Sequence, residues 1–204
     1  MAVITISRQI GAGGWALGRR VAKRLAYQYV DEVMIRDVAD KIGVSPEDVR
    51  AFEKDGATKL MKFLDKVVSK EFISRIISDR YRIVDEEKYV GVATTIIKEL
   101  YERGNAVIVG RGGQYILKDL PEVWRVLLVA DLDTRIHTVM DTFGLSGPDA
   151  EKVIRERDRS RTNFLSFFAE KERHNDPHSY DLAINMGCVS MGKAELMIID
   201  LVSQ

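Results

Sequence analysis

The hydrophobic positions fall into short β-rich runs separated by longer helical stripes. In Ala2–Ser7, the residues Val3, Ile4 and Ile6 suit a buried strand. From Trp15 the pattern turns helical, placing Gly14, Gly18, Val21, Ala22 and Leu25 on one face. Tyr27–Val30 predicts a second short strand ending at Asp31. The chain then reads as helical from Ile35 to Glu87. Ser45, Pro46, Glu47 and Asp48 make a helix start, with a serine cap and proline in the first turn. Leu60, Met61, Leu64, Val67 and Val68 form one stripe, and Phe72, Ile73, Ile76 and Ile77 another. This stretch predicts a helical insertion between the second and third strands.

Ala93–Glu102 predicts a helix stopped by Gly104 and Asn105, leading into a third strand at Ala106–Val109. Val126–Ala130 predicts the fourth strand, with Asp133 capping a helix that carries Ile136, Val139 and Met140. Ser146 and Asp149 form the capping pair of the next helix, which bears "RERDRSRTNFLSFF". Asp181–Ile184 predicts the fifth strand and Ala194–Val202 the closing helix. The alternation predicts an α/β fold: a five-stranded parallel sheet with helices on both faces, as one domain over residues 1–204.

Composition narrows the class. Hydrophobic residues make up 46% of 204, enough for one well-buried core. Lys+Arg and Asp+Glu are both 31, so no net field points to nucleic acid or an anionic membrane. Cys188 has no partner for an intrachain disulfide, and Met1 leads straight into the first strand without a signal-peptide pattern. Runs such as Val126–Ala130 are too short to span a bilayer. The expectation is a soluble cytoplasmic protein, its oligomeric state open. His137, His174 and His178 lack metal-ligand spacing, and no metal site is expected.

The candidate chemistry begins where the first strand meets the first helix. Gly11, Ala12, Gly13, Gly14 and Trp15 form a glycine-rich turn onto a helix start, where unpaired N–H groups and the positive dipole end favour an anion. As a Rossmann turn the segment fits G-x-G-x-x-A, with Asp31 at the place of a ribose-binding acid. Ser7, Arg8, Gln9 and Ile10 lengthen the loop beyond that pattern and toward a P-loop. Against G-x-x-x-x-G-K-S/T, Arg8 takes the first glycine slot, Gly14 replaces the lysine and Trp15 the magnesium-binding hydroxyl. Arg8 is a candidate to replace the lysine's charge.

Three stretches, taken in order, resemble the cytidylate kinase-like family of P-loop nucleoside monophosphate kinases. "ITISRQIGAGG" is similar to its variant phosphate loop. "VIVGRGGQYIL" is similar to its Gly-Arg-Asp segment, with Arg111 on the arginine and Gly112 in place of the aspartate. "RERDRSRTNF" leading into "YDLAIN" is similar to its arginine-bearing lid, with Asp158 and Arg161 on a D-x-x-R element. The resemblance implies a P-loop kinase fold with a helical monophosphate-binding insertion at 35–92 and a lid at 146–178. It implies phosphoryl transfer from ATP, with nucleotide-bound Mg²⁺, to a nucleoside monophosphate such as CMP or dCMP.

On that reading Gly11–Trp15 hold ATP, while Arg8, Arg157, Asp158 and Arg161 act on the transferred phosphoryl group. Arg111 holds the acceptor phosphate, with Asp31 and Arg36 as further acceptor-side candidates. Helical geometry sorts the lid arginines: at ~100° per residue, 157 and 161 share the side of Ile154 and Leu165, and 155 and 159 lie nearly opposite. Asp158 is expected to orient Arg161. Two rivals remain at this stage, a nucleotide-binding protein without catalysis and a Rossmann oxidoreductase.

Overall fold

A computed structural model of the chain describes residues 2–35, 86–169 and 174–203. Most of the expected insertion, including Arg36, lies outside the described residues, as do residues 170–173 of the expected lid region. The strands are β1 (Val3–Arg8), β2 (Gln28–Asp31), β3 (Ala106–Val109), β4 (Val123–Val129) and β5 (Leu182–Asn185). They form one parallel sheet in the order β2-β3-β1-β4-β5, which places β1 at its centre. The helices are α1 (Gly14–Leu25), α2 (Glu86–Arg103), the single turn α3 (Gly113–Ile116), α4 (Leu132–Phe143), α5 (Gly147–Leu165) and α6 (Met191–Val202).

Alternation along each strand separates two cores. Val3, Val30, Ala106 and Ile108 face α2, meeting Val92, Ile96, Ile97 and Leu100. Ile4, Ile6, Val107, Val109, Val126 and Leu128 face α1 and α6, meeting Leu17, Val21 and Ile198. A third cluster joins Val139 of α4 to Ala150 and Ile154 of α5, and Ile10 from the loop after β1 packs into it. Among the described residues, no helix is long and apolar enough to cross a membrane.

Several element boundaries differ from the sequence reading, most informatively at β4, α4 and β5. β4 begins at Val123 because parallel pairing with Val3 starts there, although Arg125 interrupts its apolar run. It ends at Val129 rather than Ala130. Asp131, not Asp133, caps α4: its Oδ1 accepts from Thr134 N at 2.8 Å, and Asp133 follows inside the first turn. β5 starts at Leu182, since the Asp181 carboxylate turns away to accept from Arg125 Nε and Nη2 at 3.1 and 2.7 Å.

α1 lies close on the sheet at Gly18, where an added Cβ would stand 2.7 Å from Val109 Cγ2. Gly18→Ala should cost about 1–3 kcal/mol through overpacking. Gly192→Ala in α6, whose Cβ meets open space, should leave stability unchanged or slightly higher. Urea unfolding of the two variants checks the contrast.

Candidate functional site

The loop after β1 is fastened at its start. Gln9 N donates to Leu128 O at 3.1 Å, and Gln9 Oε1 accepts from Ala130 N at 3.1 Å, so the loop is tied to the end of β4. Gly13 caps α1 without any side-chain hydrogen bond, and the first turn of α1 holds no acid. The N–H groups at the start of this 12-residue helix therefore point toward the loop without an internal carboxylate to meet them.

Arg8 lies across that helix start. A Cβ on Gly14 would come within 2.7 Å of Arg8 Cγ, and one on Gly110 within 2.3 Å of Arg8 Nη1. The arginine stem thus fills the space where a side chain at position 14 would begin, and its guanidinium reaches the turn after β3. It lies 5.8 Å from the Trp15 ring centroid. A side chain at position 14 would collide with the Arg8 stem, and glycine leaves that space free.

The turn after β3 holds the second arginine in an unusual backbone state. Gly110, Arg111 and Gly112 have φ values of 85°, 56° and 73°. Three left-handed residues in a row cost energy at the non-glycine member, a cost found mainly where a side chain must be aimed. Arg111 is aimed beneath the aromatic rings of Tyr89 and Phe164, at 5.3 and 4.7 Å. Its Nε is buried with no hydrogen-bond partner among the described residues. Gly112 leaves room for Phe168, whose ring would lie 2.7 Å from a Cβ there.

Glu32 joins the two arginines. Its Oε2 accepts from Arg8 Nη2 at 3.1 Å, and its Oε1 pairs with Arg111 Nη2. The sequence reading named the neighbouring acid, Asp31, whose carboxylate is turned inward. Asp31 is fully buried: its Oδ1 accepts from Val33 N and Met34 N, and its Oδ2 from the Tyr29 hydroxyl. It caps the turn that presents Glu32. Burial and the adjoining Asp31 push the Tyr29 phenol up, so this hydroxyl stays a donor.

α5 brings the remaining arginines. It is one unbroken helix in which Arg157 and Arg161 are half-buried, while Arg155 and Arg159 are exposed. Arg161 Nη2 donates to Ser7 Oγ at 2.9 Å and to His174 O at 3.2 Å, and its Nη1 donates to Asn175 Oδ1 at 3.0 Å. It is therefore docked on the residue preceding Arg8. Asp158 does not hold Arg161 as expected; its Oδ2 accepts from Arg135 Nη2 at 2.5 Å. Arg135 and Glu32 are the two site residues that sequence reasoning missed.

The electrostatics follow from this crowding. Burial lowers the pKa of Arg8, and neighbouring Tyr29 and Asp31 oppose the shift. Arg111 is held well below the usual arginine range, by burial first and then by the like charges of Arg8 and Arg157. Arg161 is lowered mainly by burial, with Tyr180 opposing and Arg8 adding. The charge of Arg8 thus bears on both Arg111 and Arg161, and an anion between them would ease that repulsion.

The sheet, the loop and the converging arginines define a P-loop-type kinase fold. A gluconokinase from Sinorhizobium meliloti shares it at TM-score 0.53 and 12% identity, covering 99% of this chain and 94% of that one. A shikimate kinase from Acinetobacter baumannii, in complex with shikimate, shares it at TM-score 0.51 and 16% identity, covering 100% and 93%. An uncharacterized protein from Eubacterium ventriosum matches at TM-score 0.71 and 21% identity over 100% of this chain and 99% of its own. The chain belongs to the cytidylate kinase-like family, whose pattern it matches over residues 3–187. Comparison with curated proteins returns no match.

The packing of Arg8 gives a direct test. Gly14→Lys should not restore an ordinary phosphate loop but disturb it, because its Cβ enters the Arg8 stem. We expect the thermal unfolding midpoint to fall in Gly14→Lys and to recover in part when Arg8→Ala vacates the space. Thermal unfolding of the singles and the double variant reads this out, and a Gly14→Lys single as stable as the wild type would refute the packing account.

Proposed function

We propose that this chain transfers the γ-phosphoryl group of ATP to a nucleoside monophosphate, with CMP or dCMP the first candidates. One observation carries the reading: Arg8 from the phosphate loop and Arg111 from the adjacent strand end meet on the same carboxylate, Glu32. A donor-side and an acceptor-side arginine are thereby held at one point. That point lies at the carboxyl ends of the central strands, where ligands bind in open parallel sheets.

The roles follow from position. N–H groups of Gly11–Trp15 would hold the donor's phosphates, and Arg8 would supply the charge of the absent lysine. Arg111 would bind the acceptor phosphate through Nε and Nη2, exchanging Glu32 for substrate. Arg157 and Arg161, on the inward side of α5, would neutralise charge on the equatorial oxygens, with the region 146–178 acting as the lid. Trp15 offers no oxygen to a metal, so Mg²⁺ would be carried by the nucleotide. Phe168 fills the space where a side chain at position 112 would begin, so the contact that the family's aspartate makes to the acceptor is absent here.

Trp15 also favours a second reading, in which the protein binds nucleotide and does not turn it over. An ADP-release assay with ATP, Mg²⁺ and a panel of nucleoside monophosphates separates the two. ADP formed only with an acceptor supports the kinase. Tight binding without turnover supports the second reading, and no ATP binding sinks both.

For the kinase, Arg157→Ala and Arg161→Ala should each lower kcat by on the order of 10²–10⁴, the scale of losing a phosphate-stabilising arginine. Arg155→Ala, at a side chain 75% exposed and paired along its own helix with Glu151, should change kcat a few-fold at most. Arg159→Ala should behave like it. Steady-state kinetics giving four similar losses would overturn the facial assignment.

Arg111→Ala should weaken monophosphate use sharply and leave ATP affinity nearly unchanged. Calorimetry with each nucleotide alone checks this; equal loss of both would reassign the residue.

A further inference from the structure

Arg135 belongs to none of the three motifs, yet it is 6% exposed, and both ends of its guanidinium are engaged. Nε donates to the backbone carbonyl of Ile10 at 2.8 Å, and Nη2 donates to Asp158 Oδ2 at 2.5 Å. The first partner lies in the phosphate loop and the second on the arginine-bearing helix. Contact extends to the backbone, since a Cβ on Gly11 would stand 2.7 Å from the Arg135 carbonyl oxygen. Beside it, the Ile10 side chain packs into the apolar cluster shared by α4 and α5. The loop is thus pinned to α4 by polar and apolar contacts, and α5 is pinned to the same residue.

We propose that Arg135 is a positioning residue that couples the phosphate loop to α5. Asp158 sits between Arg157 and Arg161, so its bond to Arg135 fixes the register of both arginines relative to the loop. A guanidinium suits the task because its planar fork gives one donor to each partner, which an ammonium on a flexible stem does not do in the same geometry. When α5 shifts, Arg135 transmits the shift to the Ile10 carbonyl and hence to the N–H groups of Gly11–Trp15. Donor binding at the loop and arginine placement on α5 then become one event. This consequence for catalysis rests on the kinase reading, whereas the mechanical coupling does not.

Hydrogen exchange on the nucleotide-free protein tests the coupling without any activity. Asp158 touches no loop residue in the contacts above, and its side chain is 35% exposed, so Asp158→Asn should fold. We expect it to accelerate exchange about tenfold at the amides of Gly11–Trp15 as well as within α5. Arg135→Lys, which keeps the charge but not the fork, should do the same. Combining Arg135→Ala with Asp158→Asn should add nothing at the loop beyond Arg135→Ala alone. A change in Asp158→Asn confined to α5, or additive effects in the double variant, would overturn the proposal. Calorimetry with ATP, on the wild-type chain and on Asp158→Asn, supplies the second arm. ATP binding weakened about tenfold at unchanged Tm supports coupling. Absence of ATP binding by the wild type counts against both readings of the function and not against the coupling, which the exchange data still decide.

Discussion

The site depends on one side chain lying across two glycines. Arg8 leaves the end of the central strand, runs over Gly14 at the start of α1 and reaches the turn at Gly110. Neither position tolerates a Cβ while it does so. Its buried charge requires compensation, since a desolvated guanidinium without partners is costly. Trp15 and Glu32 provide it, and each imposes a further requirement. Glu32 must project from the turn after β2, which Asp31 caps, and it must be shared with Arg111. The departures from an ordinary phosphate loop are therefore not independent losses. Removing the lysine, placing glycine at 14 and putting an aromatic at 15 are one rearrangement around an arginine delivered from the strand.

This explains what could be read from the sequence and what could not. Apolar runs located all five strands, because a buried parallel sheet writes continuous hydrophobic stretches. Their ends were less clear: Arg125 lies within β4 yet is charged, its partner being Asp181 on the chain entering β5. The choice between Asp31 and Glu32 was invisible for a related reason. Where a strand passes into a turn, two consecutive acids can each point either way. The outcome depends on which one satisfies the open N–H groups of Val33 and Met34. Arg135 did carry a sign. It lies four residues before buried Val139, so a charged residue occupies the inward stripe of α4, which calls for a partner. By contrast, the 3.6-residue period of α5 separates its arginines directly: Ile154 and Leu165 are buried, Arg157 and Arg161 half-buried, Arg155 and Arg159 exposed.

A chain with equal numbers of basic and acidic residues has nonetheless concentrated arginines at the carboxyl ends of its central strands. Such a cluster works against the stability of the fold, because each guanidinium is desolvated and repels the others. Burial and like charge together hold Arg111 well below the usual arginine range. Glu32 lessens that strain with one carboxylate for two guanidiniums, and it leaves Arg111 Nε without a partner among the described residues. A phosphate carries more charge and more acceptor oxygens than a carboxylate, so it can satisfy donors that Glu32 leaves open. If the site takes a phosphate as proposed, Glu32 would set a threshold. A weak or singly charged anion gains little by replacing it, whereas a phosphate bridging the same arginines gains both charge and hydrogen bonds. Selectivity for phosphate over other anions can then arise from competition with a resident side chain, without any group devoted to recognising phosphorus.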